Sequence, residues 1–66
     1  MTLNYTDIIG QLKDKGGEMM FSELLRKNQH YVGAAELDLV LDNLVKMDRI
    51  EHTRTTKQGK KFYVAL

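Results

Sequence analysis

Five cations fall within residues 49–66: Arg49, Arg54, Lys57, Lys60 and Lys61. One acid, Glu51, stands among them, and His52 adds a conditional sixth positive charge. Residues 1–48 hold five Lys/Arg against eight Asp/Glu, so the net charge of +1 conceals a portion at −3 followed by one at +4. Cations grouped this way attract anions, phosphates above all, and the hydroxyls of Thr53, Thr55 and Thr56 can add neutral contacts to the same oxygens. Lysines on an exposed strand have a second, purely structural use, because they discourage edge-to-edge pairing.

Other chemistries find no support in the residues. The chain has no cysteine, which removes disulfides and zinc–thiolate sites. His30 and His52 lie far apart with no ligand spacing around either, so no metal or cofactor is expected. Asp14 with Glu18, and Glu36 with Asp38, are carboxylate pairs by sequence proximity alone. No nucleophile–base set and no phosphate-binding glycine loop accompanies them, so neither an enzyme nor a small-molecule substrate is expected. No apolar run approaches the roughly 18 residues of a membrane span. Met1-Thr2-Leu3-Asn4 lacks the basic and then apolar character of a signal peptide, and the chain reads as cytoplasmic.

These cations need a scaffold, and 66 residues point to one domain, residues 1–66, with a single core. Asn4 is placed to cap a helix with Asp7 in its first turn, and Tyr5, Ile8, Ile9 and Leu12 follow at helical spacing. Gly16-Gly17 stops it, giving helix one at about 5–15. Glu18-Met19-Met20 reads as a minimal strand, in which at most one of the adjacent methionines need face inward and the other is free to join an exposed apolar patch. Phe21, Leu24 and Leu25 mark helix two, about 21–28. After the break at Asn28–Gly33, helix three runs from about 34 to 47, with Leu37, Val40, Leu41, Leu44 and Met47 as its apolar stripe. A hairpin over about 50–66 closes the chain, turning at Thr56-Lys57-Gln58-Gly59, with Phe62, Val64 and Leu66 alternating inward. Tyr5 and Tyr63 are expected to be half-buried with wet hydroxyls, and His30 and Tyr31 to close their turn over the core.

The order helix, short strand, helix, turn, helix, hairpin resembles the winged helix-turn-helix superfamily of small bacterial, archaeal and phage regulators, an α+β fold. The resemblance rests on Gly-Gly-Glu-Met-Met-Phe-Ser-Glu-Leu-Leu at 16–25, on Leu41-x-x-Leu44-x-x-Met47-Asp48-Arg49-Ile50, and on Gly59-Lys60-Lys61-Phe62-Tyr63-Val64-Ala65-Leu66. It implies a DNA-binding regulator of transcription, with helix three in the major groove of double-stranded DNA and the hairpin, or wing, on phosphates. The outward positions of helix three depart from that pattern: Ala34, Ala35, Glu36, Asp38, Leu39, Asp42 and Asn43 bring three acids toward a phosphate field. The acids also suit a solvated helix start that complements the dipole.

The wing residues Arg49, His52, Arg54, Lys57, Lys60 and Lys61 are therefore the leading DNA contacts. Arg26, Lys27, Gln29 and His30 come second, with Asn28 and Tyr31 beside them at the bend. Leu39 and Val45 lie off the main stripe of helix three, which signals either a wide stripe or contact with another chain. The alternative function is thus a protein-docking module using the acidic face of helix three, with a homodimer or another protein as its partner.

Overall fold

The computed structural model describes residues 4–66. The targeting-signal reading at Met1–Leu3 lies outside the described residues. Helix α1, Tyr5–Lys15, starts at Asn4, whose extended backbone lets its Oδ1 accept from the Thr6 N–H at 3.0 Å. It ends at Gly16, which takes the left-handed conformation (φ 73°) and donates its N–H to the Leu12 and Lys13 carbonyls. Strand β1, Met19–Met20, runs straight into α2, Phe21–Asn28, and α3 follows at Ala34–Lys46. The chain finishes with β2, Ile50–Thr55, and β3, Lys61–Ala65. No described helix is long and apolar enough to cross a membrane.

The sheet is antiparallel in the order β1-β3-β2, so the last strand is the central one. Tyr63 lies opposite both Met19 and His52, and Phe62 opposite both Met20 and Arg54. The β2–β3 register shifts between His52 and Arg54, which leaves Thr53 as the extra residue of a bulge.

The helices cover one sheet face, with Ile8, Leu12, Leu24, Leu37, Leu41 and Leu44 buried against Met19, Ile50 and Tyr63. Several sequence expectations fail here, each for a physical reason. Tyr63 is the inward residue of β3, only 4% exposed, whereas Phe62 and Val64 are half-buried and Leu66 is 64% exposed. Tyr63 stands opposite the core residue Met19, which fixes the phase of β3 and turns its even-numbered neighbours to the other face. Met47 is 53% exposed because it caps α3 rather than extending its stripe. His30 and Tyr31 are exposed, and it is Val32 that closes the bend over the core. The expectation for the two methionines holds, since Met19 alone of the pair is buried in the core and Met20 is half-buried.

Asn28 is buried as deeply as the aliphatic core (2% exposed) and is fully hydrogen-bonded. Its amide exchanges two 2.9 Å bonds with the Gln11 amide, and its Nδ2 also donates to the Leu24 carbonyl at 2.7 Å. Its own carbonyl accepts from the Tyr31 and Val32 N–H groups, so one residue ties α1 to α2 and shapes the bend into α3. Asn43 Nδ2 donates to the Tyr5 hydroxyl at 3.1 Å, and Lys15 pairs with Glu23 at 3.2 Å. These are lighter links from α1 to its two neighbours.

The end of α3 is unusual in its residue choice. Asp48 takes the left-handed conformation (φ 59°), its N–H donates to the Val45 carbonyl, and the Arg49 N–H donates to the Leu44 carbonyl. That bonding is a Schellman stop, in which glycine normally holds the left-handed position because a side chain there is strained. Asp48→Gly is therefore expected to stabilise the fold by up to about 1 kcal/mol, read as a rise in the urea midpoint at unchanged slope. A fall in the midpoint would mean that the Asp48 side chain contributes more than its backbone strain costs.

Candidate nucleic-acid interface

The cations at the hairpin tip are presented by a tight turn. Gly59 at φ 81° donates its N–H to the Thr56 carbonyl at 2.9 Å, and the Thr56 N–H donates to the Lys60 carbonyl at 2.8 Å. The Thr56 hydroxyl accepts from the Lys60 N–H at 3.1 Å, so this threonine is committed to the turn. Lys57 projects from the tip, Lys60 follows the turn, and Lys61 starts the returning strand. Lys60 and Lys61 form one wall of an open groove of about 450 Å³, whose other walls are Met20 and Phe21 at the start of α2 and Ala34 and Ala35 at the start of α3.

Two of the three acids on α3 are paired within the chain. Asp38 meets Lys61 at 3.5 Å across the groove, and Asp42 meets Lys46 at 3.4 Å along the helix. Such exposed pairs add little stability, but each removes an uncompensated negative charge from the face that a phosphate backbone would approach. Among the described residues Glu36 forms no ion pair, and neither do Arg49, Lys57 and Lys60. Tyr63 lies beneath this region, and burial, helped by Asp38 and Asp42, pushes its phenol above the ordinary value of 10.0.

Arg54 is held in a third way. Its Nε donates to Glu18 at 3.2 Å, and its guanidinium carbon sits 4.0 Å above the centre of the Phe62 ring. The Thr53 hydroxyl donates to the same Glu18 carboxylate, so one acid from the α1–β1 connection grips both residues at the bulge. Sequence reading set Glu18 beside Asp14 and missed this role, because its partners lie 35 and 36 positions away. His52 also meets its strand neighbours, with its ring 5.4 Å from that of Tyr63 and its Nε2 2.8 Å from the Thr55 hydroxyl.

The remaining candidates fall elsewhere. Arg49 sits at the root of the hairpin, where its carbonyl accepts from the Leu66 N–H. That is about 20 Å along the strand from the tip. Arg26 and Lys27 occupy the exposed last turn of α2, with Gln29 as its cap and His30 in the turn beyond. They form a second basic group at the opposite end of α2 from the groove. The two off-stripe apolar residues of α3 part company: Val45 packs half-buried against the core, and Leu39 remains 65% exposed. Among the described residues no three His, Asp or Glu side chains are grouped to hold a metal ion.

The grip of Glu18 has a pH signature. The Thr53 hydrogen bond is the main cause that holds the Glu18 carboxyl below its ordinary value of 4.5; desolvation, next in size, opposes it, and the hydrogen bond and charge of Arg54 lower it further. A depressed carboxyl favours the folded state above its unfolded value, and the contribution disappears as pH falls through the folded one. The side-chain carboxyl carbon of Glu18, followed by NMR, is expected to titrate with a midpoint below 4.5, and Thr53→Ala should move that midpoint upward. A midpoint at or above 4.5 in the parent chain would show that the grip does not form in solution.

No known protein family and no curated protein matches the chain by sequence. In three dimensions it is similar to a solved structure of HOP2, reported for that protein's DNA recognition and protein interaction domains and its homologous DNA pairing properties. The TM-score is 0.79 at 22% identity, over 94% of this chain and 97% of the other. A likeness at that identity concerns architecture, and the architecture of three helices with a three-stranded antiparallel sheet and a closing hairpin is a winged helix.

Proposed function

We propose that residues 1–66 act as one non-enzymatic domain that binds double-stranded DNA chiefly through the basic wing, in the service of transcription regulation in the cytoplasm. The observation that carries this reading is the partition of charge across the groove. Asp38 and Asp42 on α3 are answered by Lys61 and Lys46, while Lys57 and Lys60 at the tip have no acid paired to them among the described residues and stand against the single unpaired acid of α3, Glu36. The face is thereby left with cations in surplus, which is what a polyanion requires. The likeness to HOP2, whose structure is described in terms of DNA recognition, supports the same direction. The resemblance to small winged-helix regulators supplies the transcriptional role.

Affinity built on phosphate contacts must fall with salt, because each contact releases counterions. Fluorescence anisotropy with a random duplex at two salt concentrations is expected to show that fall. The variant Lys57→Gln/Lys60→Gln/Lys61→Gln should bind more weakly and flatten the log–log slope by about 0.9 for each phosphate that is no longer neutralised. An unchanged slope in the triple variant would refute binding led by the wing.

The exposure of Leu39, at 65%, favours a second reading in which α3 docks on another protein or on a second copy of the chain. HOP2 is described with protein interaction domains as well as DNA recognition. This reading expects negligible duplex affinity even at low salt, together with concentration-dependent association or partner capture that Leu39→Asp abolishes. Sedimentation of the parent and the variant distinguishes self-association from a monomer.

A further inference from the structure

An arginine that must contact phosphate normally searches many rotamers before it does so, and ordering it weakens the contact. Arg54 has been spared that search. The bulge decides which residue stands opposite Phe62: His52 faces Tyr63, so an unbroken register would bring Thr53 to Phe62, and the extra residue brings Arg54 instead. Glu18 then fixes both consequences, accepting from the Thr53 hydroxyl and from Arg54 Nε. Phe62 supports the guanidinium from below at 4.0 Å. Nε is one of five guanidinium donors. Among the described residues the two terminal amines of Arg54 make no hydrogen bond, and the side chain is 55% exposed.

We infer that Glu18 is a positioning residue for phosphate binding: it holds Arg54 by Nε above Phe62 so that the two terminal amines meet a backbone phosphodiester end-on. The inference rests on the duplex-binding reading and adds to it a residue of the wrong charge sign. An acid beside a phosphate site ordinarily weakens binding through repulsion. Here its oxygens are turned to Thr53 and Arg54, so the guanidinium stands between the carboxylate and an end-on phosphate. The order given to Arg54 is expected to exceed the remaining repulsion, and the sign of the Glu18→Ala effect reads which of the two is larger.

The test is duplex affinity by fluorescence anisotropy at one fixed salt concentration, with unfolding midpoints confirming that every variant is folded. Glu18→Ala is expected to weaken binding about 3- to 10-fold, the effect of releasing one ordered long side chain, although it raises the net charge. Glu18→Gln, which keeps an acceptor oxygen, should recover part of that loss. In an Arg54→Ala background Glu18→Ala should have no further effect, because the two residues act as one unit. Tighter binding by Glu18→Ala would overturn the inference and make Glu18 a competitor of phosphate, and a loss that persists without Arg54 would overturn it as well. A parent chain without duplex affinity overturns the DNA reading instead and removes the phosphate role with it. The hold itself is then read separately from the Arg54 Nε–Hε resonance, which should lose its dispersion and protection in Glu18→Ala.

Discussion

Two residue pairs, Met19 with Tyr63 and Met20 with Phe62, anchor the returning strand of the hairpin, and the placement of Lys60, Lys61 and Arg54 depends on them. The pairing draws the end of the chain back to the short strand between α1 and α2, which makes β3 central. Closing so long a loop costs entropy, yet that cost grows only logarithmically with length. Burial of Met19 and Tyr63 opposes it, since both lie within the single core. With β3 fixed, β2 has one antiparallel neighbour and an otherwise open edge. The bulge at Thr53 and the charges of Glu51 and Arg54 suit that edge, because irregular and charged strands resist pairing with other chains.

The local part of this architecture was legible in the sequence. Asn4, Gly16 and the apolar stripes of the three helices announce themselves through cap chemistry and a period near 3.6. The turn at Thr56–Gly59 did so through its glycine. Tyr63 was misread because Phe62, Val64 and Leu66 are also apolar and alternate equally well, and a period of two has two phases. Only the opposite strand chooses between them, and Met19 lies far away in sequence. Asn28 did leave a signal: it follows Leu24 by four residues and Phe21 by seven, on the stripe that faces the core. Its polarity hid it, because a buried amide is tolerable only beside a partner such as Gln11.

The candidate site was legible as a list of cations and illegible as an arrangement. Charge counting found the basic hairpin and the acids of α3, and it set them against each other as a contradiction. Distances dissolve much of that contradiction, since Asp38 and Asp42 lie 3.5 and 3.4 Å from lysines. Neither pair is buried, so their contribution to folding is small. Their weight is on the field around α3, where an acid with an adjacent ammonium repels a distant phosphate less than a bare one does. Leu39 stands apart from this balance, because neither charge nor core packing accounts for an exposed leucine at the middle of α3.

Ion pairing sorts the wing cations by what a phosphate would have to disturb in reaching them. Lys57 and Lys60 carry no partner among the described residues, so an anion at the tip displaces only water. Lys61 shares its compact ammonium with Asp38, and a phosphate must share or break that contact, returning a bare carboxylate to α3. Arg54 differs from both because a guanidinium is extended and multiply donating: Glu18 occupies Nε and leaves the far side unspent. Two residues in salt bridges of nearly equal length thus stand in opposite relations to a phosphate. For Lys61 the internal acid is a competitor, and for Arg54 it is a support. The difference lies in donor geometry, and a count of charges does not contain it.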